Sequence, residues 1–123
     1  MSSIALYKSK SFAIRIVKLS LYLRDSKKEY VMSRQLLRCG TSIGANLTEA
    51  KYAVSRNDFL SKTYIALKET AETLYWLELL YQTGFLTDNQ YHSIYDDAEE
   101  LRRLLSAVTK TMKNASDNGQ TAS

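Results

Sequence analysis

The sequence predicts an all-α protein, an antiparallel up-and-down four-helix bundle. Apolar residues recur at alternating steps of three and four in four separate stretches of this 123-residue chain, which is the spacing of amphipathic helices. The chain has no proline and only four glycines, a composition typical of long helices joined by short loops. Four helices with short connections pack as antiparallel neighbours, and we therefore expect a single bundle.

The first two helices are predicted from their apolar stripes. Phe12, Ile16, Leu19 and Leu23 indicate a helix over about residues 9–24, followed by a polar connector at 25–29. Ser33 is the expected N-cap of the second helix. Its stripe consists of Leu36, Gly40, Ile43, Leu47, Ala50 and Val54. Gly40 and Gly44 predict the close approach of a neighbouring backbone, with a break near Gly40 as the alternative.

The last two helices each begin at a capping box. Ser55 and Asp58 start the third helix, with Val54 and Phe59 as its hydrophobic staple, and Gly84 marks its end. Thr87 and Gln90 repeat the motif before the fourth helix. The fourth stripe consists of Tyr91, Ile94, Ala98, Leu101, Leu105, Val108 and Met112. Residues 1–113 are therefore expected to form one domain, and 114–123 a disordered polar tail.

The composition argues against catalytic chemistry. Cys39 is the only cysteine, which excludes an internal disulfide and any multi-cysteine zinc site. His92 is the only histidine and has no Glu three residues before it, so the di-metal motif of ferritin-like bundles is absent. The sequence has no glycine-rich phosphate loop, nucleophile elbow or HExxH motif. We expect no enzyme activity, no catalytic or metal-binding residues and no cofactor.

The hydropathy pattern suggests a cytoplasmic protein without a membrane partner. No stretch approaches the roughly 18 apolar residues of a membrane span, and the first residues lack a long apolar signal region.

The charge of the chain is asymmetric. Residues 1–62 contain 12 Lys and Arg against 4 Asp and Glu, and residues 63–123 contain 5 against 9, so the halves carry +8 and −4 and sum to +4. A basic surface for an acidic partner and basic helices packed beside acidic ones both fit this pattern. The candidate nucleic-acid-binding residues are Lys8, Arg15, Lys18, Arg24, Lys27, Lys28 and Arg34. Tyr7, Tyr22 and Tyr30 lie near them and are candidates for base stacking.

Polar residues line facing sides of the second and third helices. In an antiparallel hairpin, opposed residues have numbers that sum to about 112 here, because the two helices rise equally per residue. This register predicts ion pairs between Arg38 and Glu72 and between Glu49 and Lys62. A ligand or nucleic-acid groove is the alternative interpretation, but these charges are able to satisfy each other.

The end of the third helix, LYWLELLY, is apolar nearly all the way round. A helix that is apolar on every side must be buried on every side, and one small core covers only part of it. We therefore predict an oligomer interface. Its residues are Leu74, Trp76, Leu77, Leu80 and Tyr81.

The same region carries a family resemblance. The segment from residue 33 to 80 reads SRQLLRCGTSIGANLTEAKYAVSRNDFLSKTYIALKETAETLYWLELL and resembles the 23S ribosomal RNA intervening-sequence protein family. The resemblance extends over about residues 12–113 and implies a four-helix bundle that forms homopentameric rings. A related branch comprises basic accessory proteins that bind nucleic acid and a reverse transcriptase. The family has no catalytic residues to transfer.

The leading functional hypothesis is therefore a non-enzymatic homo-oligomer, a pentamer by resemblance, that binds RNA or DNA through a basic surface. The alternative is a structural or adaptor protein that binds another protein, such as a reverse transcriptase, with no nucleic-acid role.

Overall fold

The computed structural model describes the backbone of residues 3–122 and the side chains of residues 4–115. This part of the chain consists of four helices without a strand: α1 (Ser3–Ser26), α2 (Met32–Lys51), α3 (Arg56–Gln82) and α4 (Asp88–Ala122). The predicted fold class is confirmed. None of these helices combines the length and the apolar character that a membrane crossing requires.

The contacts between helices show that neighbours run in opposite directions. Along α1, Lys8 contacts Glu100 and Arg15 contacts Asp97, so residue numbers rise on one helix as they fall on the other. The same holds between α2 and α3, where Arg38 meets Glu72 and Glu49 meets Lys62. Packing is most extensive between α2 and α3 and least extensive between α1 and α4. The four helices thus form an up-and-down ring in chain order.

The core is built from the predicted stripes. Its largest fully buried apolar side chains are Phe12, Ile16, Leu23, Leu36, Ile43, Leu47, Leu77, Leu80, Leu101 and Leu105. Helix α3 also buries Thr63, Thr70 and Thr73. Each of these threonine hydroxyls donates to the carbonyl four residues earlier, at 2.7–2.8 Å, so no hydroxyl is left unsatisfied by burial. Helix α1 begins at Ser3, earlier than predicted, because Ala5 extends its buried stripe.

Helices α1 and α2 approach each other closely at two glycines. A Cβ atom on Gly40 would lie 2.8 Å from Ile16 Cγ2, and one on Gly44 would lie 3.2 Å from Ser9 Oγ. Helix α2 is continuous through both positions. The predicted approach of a neighbouring backbone is correct at Gly44, where the Ser9 carbonyl oxygen would lie 3.5 Å away, whereas the neighbour of Gly40 is the Ile16 side chain. The alternative of a break at Gly40 is wrong.

The helix starts match the predicted capping boxes at α3 and α4 but not at α2. Ser55 Oγ accepts from the Asp58 amide at 3.0 Å, and Thr87 Oγ1 accepts from the Gln90 amide at 3.2 Å. Ser33 is not an N-cap, since it is buried inside α2 and its hydroxyl donates to the Glu29 carbonyl. The Glu29 carboxylate caps α2 instead, because a negative charge is a stronger acceptor for the free amides of a helix start.

Two helix ends also differ from the sequence expectation. Helix α2 ends at Lys51, so Val54 lies in the turn, 93% exposed, and not in the buried stripe. Helix α4 continues to Ala122, whereas a disordered tail is predicted from Asn114. The segment has no proline, and Gly119 costs a helix only about 1 kcal/mol relative to alanine, so nothing in it forces the helix to end at Lys113. The side chains beyond residue 115 lie outside the described part.

Candidate nucleic-acid and subunit interfaces

Two of the predicted nucleic-acid-binding residues are paired with α4. Lys8 Nζ lies 2.7 Å from Glu100 Oε1, and Arg15 Nη1 lies 2.5 Å from Asp97 Oδ2. Arg15 also donates to the side chain of Ser93 at 2.9 Å. At these positions the basic first helix packs beside the acidic fourth helix, as the second interpretation of the charge asymmetry expects. Lys18 is exposed and lies close to Arg15, at the opening between α1 and α4.

The other four predicted cations gather at the end of the bundle where α1 connects to α2. Arg24, Lys27, Lys28 and Arg34 are all exposed, and we call them the connector surface. Lys27, Lys28 and Arg34 form no ion pair with any described residue.

The two carboxylates of this region are both engaged. Asp25 accepts from Arg24 Nε at 2.8 Å, and this hydrogen bond lowers the pKa of the Asp25 carboxyl. The Glu29 carboxylate accepts from the amides of Val31, Met32 and Ser33 at 2.8–3.3 Å. Arg24 and Asp25 therefore form one ion pair, and the Glu29 carboxylate is bound to backbone amides, which leaves the region with a formal charge of +2.

A pocket opens beside the connector surface, between α1 and α2. It has a volume of about 250 Å³, and we call it the connector pocket. Its lining residues are Val17, Ser20, Leu21, Arg24, Tyr30, Arg34 and Leu37. Tyr30 is 52% exposed, which leaves much of its ring accessible. Tyr30 and Arg34 are candidates from the sequence, but the pocket depends on how α1 packs on α2 and has no local sequence signal.

The predicted ion pairs between α2 and α3 are both in contact. Arg38 forms an ion pair with Glu72, and the Nη1 atom of Arg38 also lies 3.3 Å from Glu69 Oε2. Lys62 Nζ lies 3.6 Å from Glu49 Oε1. Trp76 Nε1 donates to Glu72 Oε2 at 3.0 Å. Hydrogen bonds from Trp76 and then Arg38 lower the pKa of the Glu72 carboxyl. These charges satisfy one another across the helix pair, which favours a role in register over a ligand groove.

The predicted oligomer interface on α3 is wrong for three of its five residues. Leu74, Leu77 and Leu80 are buried in the core of their own bundle. Trp76 and Tyr81 are partly buried and pack against that core. The cause is that α3 packs extensively against both α2 and α4, so the bundle itself covers a wide angle of the helix.

An exposed apolar surface lies instead between α1 and α2. A groove of about 710 Å³ runs there, and we call it the α1–α2 groove. Its lining residues are Leu6, Tyr7, Ser9, Lys10, Ala13, Ile14, Val17, Thr41, Gly44, Ala45 and Thr48. Tyr7, Ile14 and Val17 are 73%, 49% and 40% exposed. A sequence signal for this surface exists, since Tyr7, Lys10, Ile14, Val17 and Leu21 form a second stripe on α1 at steps of three and four.

Cys39 and His92 are residues of the types that most often serve as nucleophiles, acid–base groups or metal ligands. Cys39 is buried, and burial raises the pKa of its thiol to about 11, so the thiol remains protonated at neutral pH. His92 is exposed, with its ring centroid 5.2 Å from that of Tyr91. Among the described side chains no group of three or more His, Cys, Asp or Glu is placed to hold a metal ion.

The structure thus defines a four-helix-bundle protein whose candidate binding sites are the connector surface, the connector pocket and the α1–α2 groove. Residues 2–107 match the family described as 23S rRNA-intervening sequence protein, and the chain belongs to this family. The resemblance in the sequence is confirmed.

A solved structure extends this result. It is described as a protein with unknown function from the S23 ribosomal protein family of Bacteroides thetaiotaomicron VPI-5482. The two chains are 52% identical, with a TM-score of 0.86, over 88% of this chain and 96% of that one. No curated protein matches the chain.

Proposed function

We propose that this protein is a non-enzymatic, homo-oligomeric helical bundle that binds RNA or DNA through its connector surface. The observation that supports this most is the set of exposed cations at the connector surface, of which Lys27, Lys28 and Arg34 form no ion pair with any described residue and Arg24 pairs with Asp25. Phosphates that approach such a surface release counterions from the nucleic acid, and this release favours binding.

Self-association is supported by the α1–α2 groove. Tyr7, Ile14 and Val17 together expose on the order of 300 Å² of apolar side chain, taking roughly 150–250 Å² for a whole large side chain. A patch of this size is comparable with the largest patches on monomers, which are often functional. Lys10 is the only charged residue among the lining residues, so two copies meet there with little charge repulsion. A subunit number of five follows the family resemblance.

Assembly also bears on the strength of binding. Four cations on one subunit neutralise few phosphates, and a monomer would bind weakly at physiological salt. A ring presents the same surface several times on one strand, which raises the effective concentration of each further contact.

A filter-binding titration over a range of salt concentrations tests the nucleic-acid role. The double variant Lys27→Glu/Lys28→Glu should weaken binding to every sequence. It should also flatten the plot of the logarithm of the binding constant against the logarithm of the salt concentration, whose slope loses up to about 0.9 for each phosphate contact removed. Lys110→Glu/Lys113→Glu is the matched control, with the same charge change on exposed residues of α4. No binding even at about 50 mM salt, or binding that salt does not affect, would contradict the proposal.

A structural or adaptor protein is the second candidate, and the α1–α2 groove is the observation that favours it. An apolar groove between two helices also suits the apolar face of a partner helix, for example one from a reverse transcriptase. A pull-down from the native host separates the two candidates. Protein partners that remain bound after nuclease treatment, together with no binding to purified RNA or DNA, would support the adaptor role.

A further inference from the structure

The connector pocket brings together two kinds of recognition chemistry. Arg24 and Arg34 supply guanidinium groups, and Tyr30 supplies an aromatic ring with about half of its surface accessible. Leu21 and Leu37 supply apolar walls. The side chains of Tyr30 and Arg34 form no hydrogen bond or ion pair with any described residue, whereas Arg24 is bound to Asp25. Arg34 and Tyr30 are therefore the groups available to a ligand.

The size of the pocket limits what it can hold. About 250 Å³ is smaller than the roughly 300–1,000 Å³ of sites that enclose a drug-sized ligand. It therefore suits a single flat group rather than a large molecule. The combination of an aromatic face, apolar walls and a nearby guanidinium matches a nucleobase joined to a phosphate.

Duplex nucleic acid does not present this combination. Its bases are stacked on each other, so only base edges and phosphates are accessible from the grooves. A single strand exposes both faces of a base next to its own phosphate, and base stacking on an aromatic ring tolerates any sequence.

We propose that the connector pocket binds one nucleotide of a single-stranded nucleic acid, with the base against Tyr30 and the phosphate on Arg34. This inference rests on the proposed nucleic-acid function and specifies the form of nucleic acid that is bound. The exposed Lys27 and Lys28 follow the chain toward Tyr30 and would contact the phosphates on either side of that nucleotide.

Fluorescence anisotropy at low salt tests the inference with four labelled probes of the same sequence: single-stranded RNA, single-stranded DNA, duplex RNA and duplex DNA. A single strand of one kind or both should bind more tightly than its duplex. Tyr30→Ala should weaken binding of that strand roughly 5- to 150-fold, the value of one stacked base, and should leave the duplex almost unchanged. Tyr30→Phe keeps the ring and should keep the affinity.

Tyr52→Ala is the matched control for loss of an exposed tyrosine. Tyr52 is 74% exposed and lies just after α2, at the opposite end of the bundle from the connector pocket. Circular dichroism and light scattering on each variant establish that helix content and assembly are unchanged.

The outcomes separate this inference from the function on which it rests. If neither single strand nor duplex binds, the proposed function fails and the inference fails with it. If duplex binds as well as single strand, or Tyr30→Ala has no more effect than Tyr52→Ala, while Lys27→Glu/Lys28→Glu still weakens binding, only the single-strand inference is overturned.

Discussion

Gly40 determines how closely α1 and α2 pack. Its missing side chain leaves room for Ile16, whose Cγ2 atom would lie 2.8 Å from a Cβ at this position. Ile16 is fully buried and branched at Cβ, so it has little freedom to move away. Gly44 is less restricted, because its nearest neighbour is the hydroxyl of Ser9 at 3.2 Å. Both glycines lie on α2 and face α1, but Gly40 faces the Ile16 side chain and Gly44 faces Ser9.

Gly40→Ala should destabilise the bundle, although alanine favours a helix by about 1 kcal/mol. Overpacking against Ile16 costs roughly 1–3 kcal/mol, which exceeds that gain. Gly44→Ala is the matched control and should destabilise less than Gly40→Ala, since its Cβ contact of 3.2 Å with Ser9 Oγ is relieved by a shift of a few tenths of an ångström that keeps the Ser9–Leu6 hydrogen bond. Urea unfolding of both variants measures the difference. Equal stability of the two would show that Ile16 does not restrict position 40.

At the scale of an element, α2 depends on a residue outside its own boundaries. The Glu29 carboxylate accepts from three amides at the start of the helix, and the Glu29 carbonyl accepts from the Ser33 hydroxyl at 2.7 Å. Lys28, with φ of 56°, turns the chain so that Glu29 reaches back over the helix start. The start of α2 and the short connector are therefore held together by one carboxylate.

Glu29→Ala should lower the free energy of unfolding by about 1–2 kcal/mol, because the amides of Val31, Met32 and Ser33 lose their side-chain acceptor. Asp25→Ala makes the same charge change nearby and should have no measurable effect, since Asp25 is exposed and contacts only Arg24. Thermal and urea unfolding compare the two variants. A loss of the same size in both would indicate a general effect of charge instead of a cap.

At the scale of the whole molecule, the exposed apolar surface lies on α1, whereas the sequence predicts it on α3. The apolar end of α3 is covered by α2, α4 and its own core, while α1 meets α4 only loosely and keeps a second apolar stripe exposed. The exposed apolar surface is therefore the α1–α2 groove, and the connector surface lies at one end of it.

Ile14→Asp should convert the oligomer to a monomer at micromolar concentration, because it places a charge in the middle of the α1–α2 groove. Ile65→Asp is the matched control on α3, at 37% exposure compared with 49% for Ile14, and should leave the oligomer intact. Light scattering gives the mass of each variant, and circular dichroism shows that both are folded. A monomeric parent protein, or an intact Ile14→Asp oligomer, would rule out assembly through this groove.

Local sequence patterns are sufficient to predict the four helices, the capping boxes at Ser55 and Thr87 and the ion-pair register of α2 with α3. All of these depend on local periodicity, on residues three apart, or on the equal rise of two helices joined by a short turn.

The packing of the four helices, in contrast, sets which apolar stripe is covered and which of the described cations have no ion-pair partner. Lys8 and Glu100 are 92 positions apart, and no local pattern shows that they meet. Leu77 is fully buried while Ile14 is 49% exposed, although both lie on helices with more than one apolar side. The burial of a helix face depends on how extensively its two neighbours pack against it, and that extent is a property of the packed bundle, not of the helix.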